Sequence, residues 1–256
     1  MEIKPSLKAV LKRLRLSGVL VSLPDRIAYA RKTKLSEEDF FELVLQDEID
    51  RREQNNLALR LERACFAESK TLEEFDWAAP LHFDRDRVRD LFGLGFLHRH
   101  EDVLFMGPTG VGKTLLASAL GHTACRAGFN VLFLRADDLF KFLLRSRADH
   151  SHDKALRRLL APELLIIDDF ALRRMDPNQS SDIYQLVLER HRRSSTILTS
   201  NRTVEEWIPL FDDPLLAQSA LDRLANNAHQ VTIEGESYRR RLQPAFSTSR
   251  SPEVSL

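Results

Sequence analysis

The sequence predicts an α/β protein: a parallel sheet flanked by helices, preceded by a small all-helical N-terminal module. Three observations support this prediction. From residue 103 onward, short runs that are apolar throughout alternate with helical segments, the pattern of a parallel sheet buried on both faces. A glycine-rich segment ending in Lys113 and Thr114 lies between the first of these runs and the helix after it. Residues 6–70, by contrast, are charged and helical in period.

Taken in order, Leu7, Val10, Leu11 and Leu14 are spaced to share one helical face, with a break expected at Gly18 and Pro24. Ser36 is placed to cap a second helix, with Glu37, Glu38 and Asp39 in its first turn and Phe40, Phe41, Val44, Leu45 and Ile49 as its apolar face. Residues 71–100 form a connector containing Phe75, Trp77 and Pro80, then a short helix at 85–92 and turns at Gly93 and Gly95. The core is expected over 101–242. Its strands fall at 103–106, 131–134, 164–167 and 196–199, and its helices at 113–127, 138–145 and 183–193, with a further helix-like segment in DPLLAQSALDR. The Ser-, Pro- and Thr-containing tail, 243–256, is expected to be disordered.

Composition narrows the function. The 256 residues carry 38 basic and 38 acidic side chains, so overall charge selects no polyanionic partner and only local clusters can. Cys65 and Cys125 stand far apart with no CxxC neighbourhood, which gives no disulfide framework or zinc site and suits a reducing cytoplasm. No run approaches the roughly 20 apolar residues that a membrane span needs.

The chemistry centres on Gly107-Pro108-Thr109-Gly110-Val111-Gly112-Lys113-Thr114, a match to G-x-x-x-x-G-K-[ST] between the strand VLFM and a helix. A chance match in a chain this long is about a 1% event before the flanking strand and helix are required, so the context makes the assignment. Glycines let backbone N–H groups curl round phosphates, Lys113 reaches the β- and γ-phosphates, and the Thr114 hydroxyl ligates Mg²⁺. The expected ligand is ATP with Mg²⁺, and Lys113 is expected to face solvent. Asp168 and Asp169 end an apolar strand, where a carboxylate can hold the metal's water shell and its neighbour can polarise a water. Asn201, at the end of the strand after that, is placed to sense the γ-phosphate or simply to cap the strand. Arg223 reads either as a surface ion-pair partner or as a cation that reaches a neighbouring subunit's nucleotide. Lys141, Arg145, Arg147, Lys154, Arg157 and Arg158 gather between the second and third core strands, and Arg239, Arg240 and Arg241 lie near the end; charge runs of this kind are commonly solvated faces. His150 and His152 read as a polar loop.

In order and spacing, GPTGVGKTLLASALG, LLIIDDF, STILTSNRTVEEWIPLFDDPLLAQSALDRL and IEGESYR resemble the IstB-type AAA+ ATPases, helper proteins of insertion-sequence transposition that are similar to the DnaC helicase loaders. LKRLRLSGVLVSLPDRIAYA, FFELVLQDEIDRREQNNLALRLERA and KTLEEFDW extend the resemblance over nearly the whole chain. The resemblance implies an AAA+ P-loop fold whose nucleotide lies on residues 107–115, Leu115 included. It makes Lys113 and Thr114 the phosphate and Mg²⁺ residues, Asp168 and Asp169 the acidic pair, Asn201 the sensor, Arg223 a finger acting in trans and Arg239 a second sensor. It also implies an ATPase that assembles on duplex DNA without sequence preference, through the basic cluster, and serves a transposase; a replicative helicase loader shares the same core. The family motif usually has Gly where this chain has Ala171, which puts the backbone freedom there in question, though not the metal site. A small-molecule kinase would need a substrate pocket and a lid, and neither is legible in the sequence.

Overall fold

A computed structural model describes residues 3–67 and 71–237, so Arg239, Arg240, Arg241 and the tail expected from residue 243 lie outside the described residues. The chain divides into two compact units, Met1–Glu62 and Arg63–Leu256.

In the first unit, α1 (Pro5–Arg13) and α2 (Ser17–Thr33) precede α3 (Glu37–Ala64), and Leu11, Val19, Leu23 and Val44 form the core. The break falls at Arg15, which has φ +57°, and not at Gly18 and Pro24, which both lie inside α2. Proline's fixed φ is compatible with a helix, although it removes one N–H and its ring crowds the carbonyl four residues back. The start of α2 is secured from α3: the Glu48 carboxylate accepts the N–H of Gly18 at 2.6 Å and that of Val19 at 3.4 Å. Burial opposes that charge, yet hydrogen bonds from Arg51, Arg52 and Gly18 outweigh it and bring Glu48 down to about 2.

Ser36 caps α3 as expected, its hydroxyl accepting the Asp39 N–H at 3.1 Å. The buried stripe of α3, however, runs through Phe40, Val44 and Glu48, while Phe41, Leu45 and Ile49 are 66%, 48% and 48% exposed. The two stripes are one residue apart, and apolarity alone cannot rank them; the polar anchor at Glu48 decides which faces inward.

The second unit holds a five-stranded parallel sheet, ordered β3 (Val131–Arg135), β4 (Leu164–Asp168), β5 (Ser195–Ser200), β2 (Asp102–Met106), β6 (Ala228–Thr232). β2, β4 and β5 are buried along their whole length, which explains why the alternation of polar and apolar residues is missing from their sequences. β6 escaped the sequence reading because AHQVT is an edge strand with only Val231 buried. β1 (Leu81–His82), in the connector, pairs antiparallel with β7 (Glu234–Gly235). α4 (Arg85–Leu91) and α5 (Gly95–His98) then lead into β2.

α6 (Lys113–Arg126) lies over the sheet with Leu116, Ala117, Ala119 and Leu120 buried. α7 (Ala136–Ala148) and α8 (His152–Leu160) follow β3; α8, read in the sequence only as a charged stretch with a polar loop at its start, buries Ala155, Leu156 and Leu159 at helical spacing. α9 (Pro177–Arg190) begins six residues earlier than expected from Ile183, because Asp176 and Gln179 form a capping box with Pro177 at the first position. α10 (Pro214–Asn226) packs on α9 and returns the chain to β6. Among the described residues no helix is long and apolar enough to cross a membrane.

A buried polar clamp ties together the elements at the starting edge of the sheet. Arg190 of α9 donates to the carbonyls of Leu159, Pro162 and Ser195 and to the Thr196 hydroxyl. Asp102 of β2 accepts the Thr196 N–H at 2.7 Å. Burial pushes Asp102 up to about 7 and Arg190 down to about 10.

Candidate functional site

The 107–114 loop leaves β2 at Met106, beyond the carboxyl edge of the sheet, beside the point where β2 is flanked by β5 on one side and β6 on the other. Two of its glycines are required by what lies against them. Gly107 has φ +139° and a Cβ there would sit 2.1 Å from the Ile233 carbonyl oxygen; Gly112 has φ +97° and its Cβ would sit 2.8 Å from the Phe75 ring. The loop is thus shaped by the connector on one side and by the segment after β6 on the other. Pro108 and Thr109 are exposed, Gly110 is half-buried, Val111 is buried, and Leu115 is half-buried on α6.

Lys113 opens α6, but it does not face solvent as expected. Only 6% exposed, it turns its ammonium back to donate to the carbonyls of Gly107 at 2.8 Å and Pro108 at 2.7 Å and to Asn201 Oδ1 at 2.7 Å. Acceptors converging on the ammonium are how the charge is accommodated under cover. Asn201 therefore meets the phosphate-loop lysine directly.

The second junction joins Thr114 to the acidic strand end. Asp168, 2% exposed, accepts the Thr114 hydroxyl at 2.9 Å and the Thr199 hydroxyl at 2.5 Å on the same Oδ1. Thr199 in turn accepts the Asp169 N–H at 3.0 Å, and its carbonyl accepts the Phe170 N–H at 2.8 Å. Asp169 has φ +56° and Ala171 φ +59°, so the turn after β4 takes the left-handed conformation at Ala171 without glycine. Below it, Ser200 donates to the Phe170 carbonyl, and its hydroxyl accepts the Trp207 indole N–H.

Sequence reasoning missed Thr199, Phe75 and the 233–237 segment. The signal for Thr199 was present: it is a hydroxyl residue inside the strand that ends just before Asn201. Glu236 and Ser237 border a concavity with Pro108 and Thr109, and a Cβ on Gly110 would meet the Ser237 hydroxyl at 2.1 Å.

Arg223 is placed elsewhere. It sits in the last turn of α10, which delivers the chain to the start of β6, and β6 pairs there with the first residue of β2 (Ala228 with Asp102). The phosphate loop leaves from the other end of that strand, five residues on, or about 16 Å at strand rise. Arg223 donates to the carbonyl and hydroxyl of Ser219. His191, just before β5, is held below its ordinary pKa by burial and by the charges of Arg192 and Arg223.

The basic cluster is divided by its contacts. Arg147 makes a two-pronged pair with the buried carboxylate of Asp182, both contacts at 2.6 Å, and His152 approaches the same carboxylate at 3.4 Å, so these two residues lock α7 and α8 to α9. Lys141, Arg145, Lys154, Arg157 and Arg158 remain exposed; Arg158 lies over the Phe142 ring, and Lys141 reaches Asp138 at 3.4 Å.

Residues 9–245 match the family model described as IstB-like ATP binding protein. The chain is 39% identical to a Mycobacterium tuberculosis protein named as an ATP-binding protein in an insertion sequence, over 96% of this chain and 98% of that one. Among solved structures it is similar to a replication initiator DnaA bound to AMPPCP and single-stranded DNA, with TM-score 0.54 and 19% identity over 67% of this chain and 52% of that one. It is also similar to the DnaC helicase loader, with TM-score 0.50 and 21% identity over 71% of this chain and 98% of that one. At these identities the structural likenesses speak to fold alone.

Proposed function

This chain belongs to the IstB-like ATP binding protein family and its core has the AAA+ P-loop fold; from that premise we propose that it hydrolyses ATP with Mg²⁺ in a cytoplasmic multimer on duplex DNA and so assists a transposase. The observation that carries this reading is the meeting of the phosphate loop with two neighbouring strand ends, Lys113 with Asn201 and Thr114 with Asp168.

The hydroxyl of Thr114 and the carboxylate of Asp168 are the hard oxygen donors that suit Mg²⁺, so these residues fit the ion. Bound there, Mg²⁺ would neutralise charge on the phosphates. The loop N–H groups and Lys113 hold the β- and γ-phosphates, and nucleotide binding exchanges the lysine's carbonyl partners for phosphate oxygens. Asp169 and Asn201 orient the attacking water, and Asp169 accepts its proton. Arg223 lies too far from its own phosphate loop to complete that site and is supplied to a neighbouring subunit. Lys141, Arg145, Lys154, Arg157 and Arg158 give a phosphate-binding face without base readout, held in place by the Arg147–Asp182 pair. The insertion-sequence name of the relative supports a transposase as the served partner. A second reading, delivery of a replicative helicase, is left open because the same core would serve it.

The test is complementation between two inactive proteins on duplex DNA. Lys113→Ala lacks the phosphate ligand and keeps the finger, while Arg223→Ala does the reverse; an assembly mixing them contains some interfaces with both intact, so part of the DNA-stimulated hydrolysis should return. Failure at every mixing ratio, with co-assembly demonstrated, would count against a shared site. Pull-down with transposase or with replicative helicase separates the two readings of the partner.

A further inference from the structure

We propose that Thr199 is the positioning residue of the acidic pair: one hydroxyl fixes the carboxylate of Asp168 by donating to it and the backbone of Asp169 by accepting from it. This inference rests on the proposed Mg²⁺-dependent ATP hydrolysis and adds a residue to it.

Thr199 is the fifth residue of β5 and Asn201 follows the strand directly, and the side chains of both meet the site as two polar rungs. Asn201 takes the upper rung and holds Lys113; Thr199 takes the lower and meets Asp168. Thr199 is fully buried, yet its hydroxyl uses donor and acceptor capacity together, at 2.5 Å to Asp168 Oδ1 and 3.0 Å from the Asp169 N–H. Both bonds are directional, and they fix different things. The first sets the rotation of the Asp168 carboxylate, which also accepts Thr114. The second secures the entry to a turn in which Asp169 itself is left-handed, a conformation that costs a non-glycine residue energy unless its surroundings hold it. Since the direction of the Asp169 side chain follows from its backbone, Thr199 sets where the second carboxylate points without touching nucleotide itself. Valine has nearly the same shape and lacks the hydroxyl, whereas serine keeps it, so the pair of substitutions separates packing from hydrogen bonding.

The experiment uses the full chain as wild type, Thr199→Val and Thr199→Ser, with Thr199→Ala beside Val in case the β-branched replacement folds poorly. Three quantities are measured: affinity for a fluorescent ATP analogue without metal, the Mg²⁺ concentration that half-saturates the metal-dependent increment of binding, and residue-resolved hydrogen exchange at the Asp169 amide. A hydrogen bond to a charged group commonly accounts for a tenfold to hundredfold effect. Thr199→Val, or Thr199→Ala in its place, should raise the Mg²⁺ half-saturation roughly tenfold and speed Asp169 exchange by a similar factor. Metal-free affinity should hold within about twofold. Thr199→Ser should follow wild type in all three. Equal Mg²⁺ dependence and equal exchange in wild type and Thr199→Val would overturn the positioning role, as would an equal loss of metal-free binding. A wild type that binds nucleotide with no metal-dependent increment would overturn the Mg²⁺ reading itself, and the role of Thr199 with it.

Discussion

The two ends of the parallel sheet each carry a buried polar network, and the two are built differently. At the starting edge, Arg190 spends its donors mainly on main-chain carbonyls, those of Leu159, Pro162 and Ser195, and Asp102 accepts a main-chain N–H. At the carboxyl edge, the decisive contacts join side chain to side chain across long stretches of sequence, Lys113 to Asn201 over 88 residues and Thr114 to Asp168 over 54. Arg190, buried among three main-chain carbonyls, cannot turn away without leaving all of them unpaired away from water, whereas the side-chain partners at the carboxyl edge can be exchanged by a change of rotamer. The first arrangement fastens the fold; the second can open to accept a phosphate and close again.

The comparison can be broken at the carboxyl edge first. Asp169→Asn should slow single-turnover hydrolysis by about 10² to 10⁴ while ATP still binds, because the amide keeps size and loses basicity. Its thermal midpoint should scarcely move. A variant that hydrolyses at the wild-type rate would remove Asp169 from the chemistry.

At the starting edge the effect should fall on stability. Arg190→Met leaves three carbonyls without their donor and Asp102 without its nearby cation, a loss on the order of 3–5 kcal/mol read by denaturant unfolding. Nucleotide affinity of the folded fraction should be unchanged. A cost below about 1 kcal/mol would show the clamp to be dispensable.

The same clamp makes a prediction in pH. Burial raises Asp102 from an unfolded value of 3.8 to about 7, so the folded state holds this proton more tightly than the unfolded chain does. Its contribution to stability is therefore complete below about pH 4 and is lost as pH climbs through 7, at no more than about 1.4 kcal/mol per unit. Asp102→Asn retains an acceptor for the Thr196 N–H and removes the titration. The stability of the variant relative to wild type should rise between pH 5 and pH 8; a flat difference would mean that Asp102 stays charged in the fold.

The smallest effect sharpens the reading of the turn. Ala171→Gly relieves about 1–2 kcal/mol of left-handed strain, but it adds backbone entropy of about 0.5–1 kcal/mol to the unfolded chain and gives up a buried methyl of about 0.8 kcal/mol. These offset, so unfolding free energy should change by less than about 1 kcal/mol. A gain above 1 kcal/mol would mean that the turn carries unrelieved strain.

The phosphate loop, the buried strands and the acidic pair were legible because each is written locally: apolar runs with no alternation, and glycines at fixed spacing. The outer strand AHQVT was not, since an edge strand half open to water has no such run, and α8 was hidden because its charges drew more notice than Ala155, Leu156 and Leu159 beneath them. The inward stripe of α3 was missed for a related reason, its anchor being the carboxylate of Glu48 and not a hydrophobe. Lys113 was expected in solvent because residue type suggests it; acceptors converging from residues as distant as 107, 108 and 201 hold it under cover. Thr199 illustrates the general limit, since a hydroxyl in a strand acquires meaning only from the strand beside it.

On the reading proposed above, the placement of Arg223 near the start of the sheet, with the phosphate loop at the other end, would give each subunit a giving side and a receiving side. Subunits that complete one another in this way must join head to tail, by unlike surfaces, and cannot all be satisfied by a simple exchange across a two-fold axis unless both surfaces lie within one contact. An open run of such subunits always holds one complete site fewer than it has members, and its two ends differ: one carries a nucleotide with no finger, the other a finger with no nucleotide. Growth and loss at those ends would then respond differently to ATP, and the proposed assembly would have a direction along the DNA it covers.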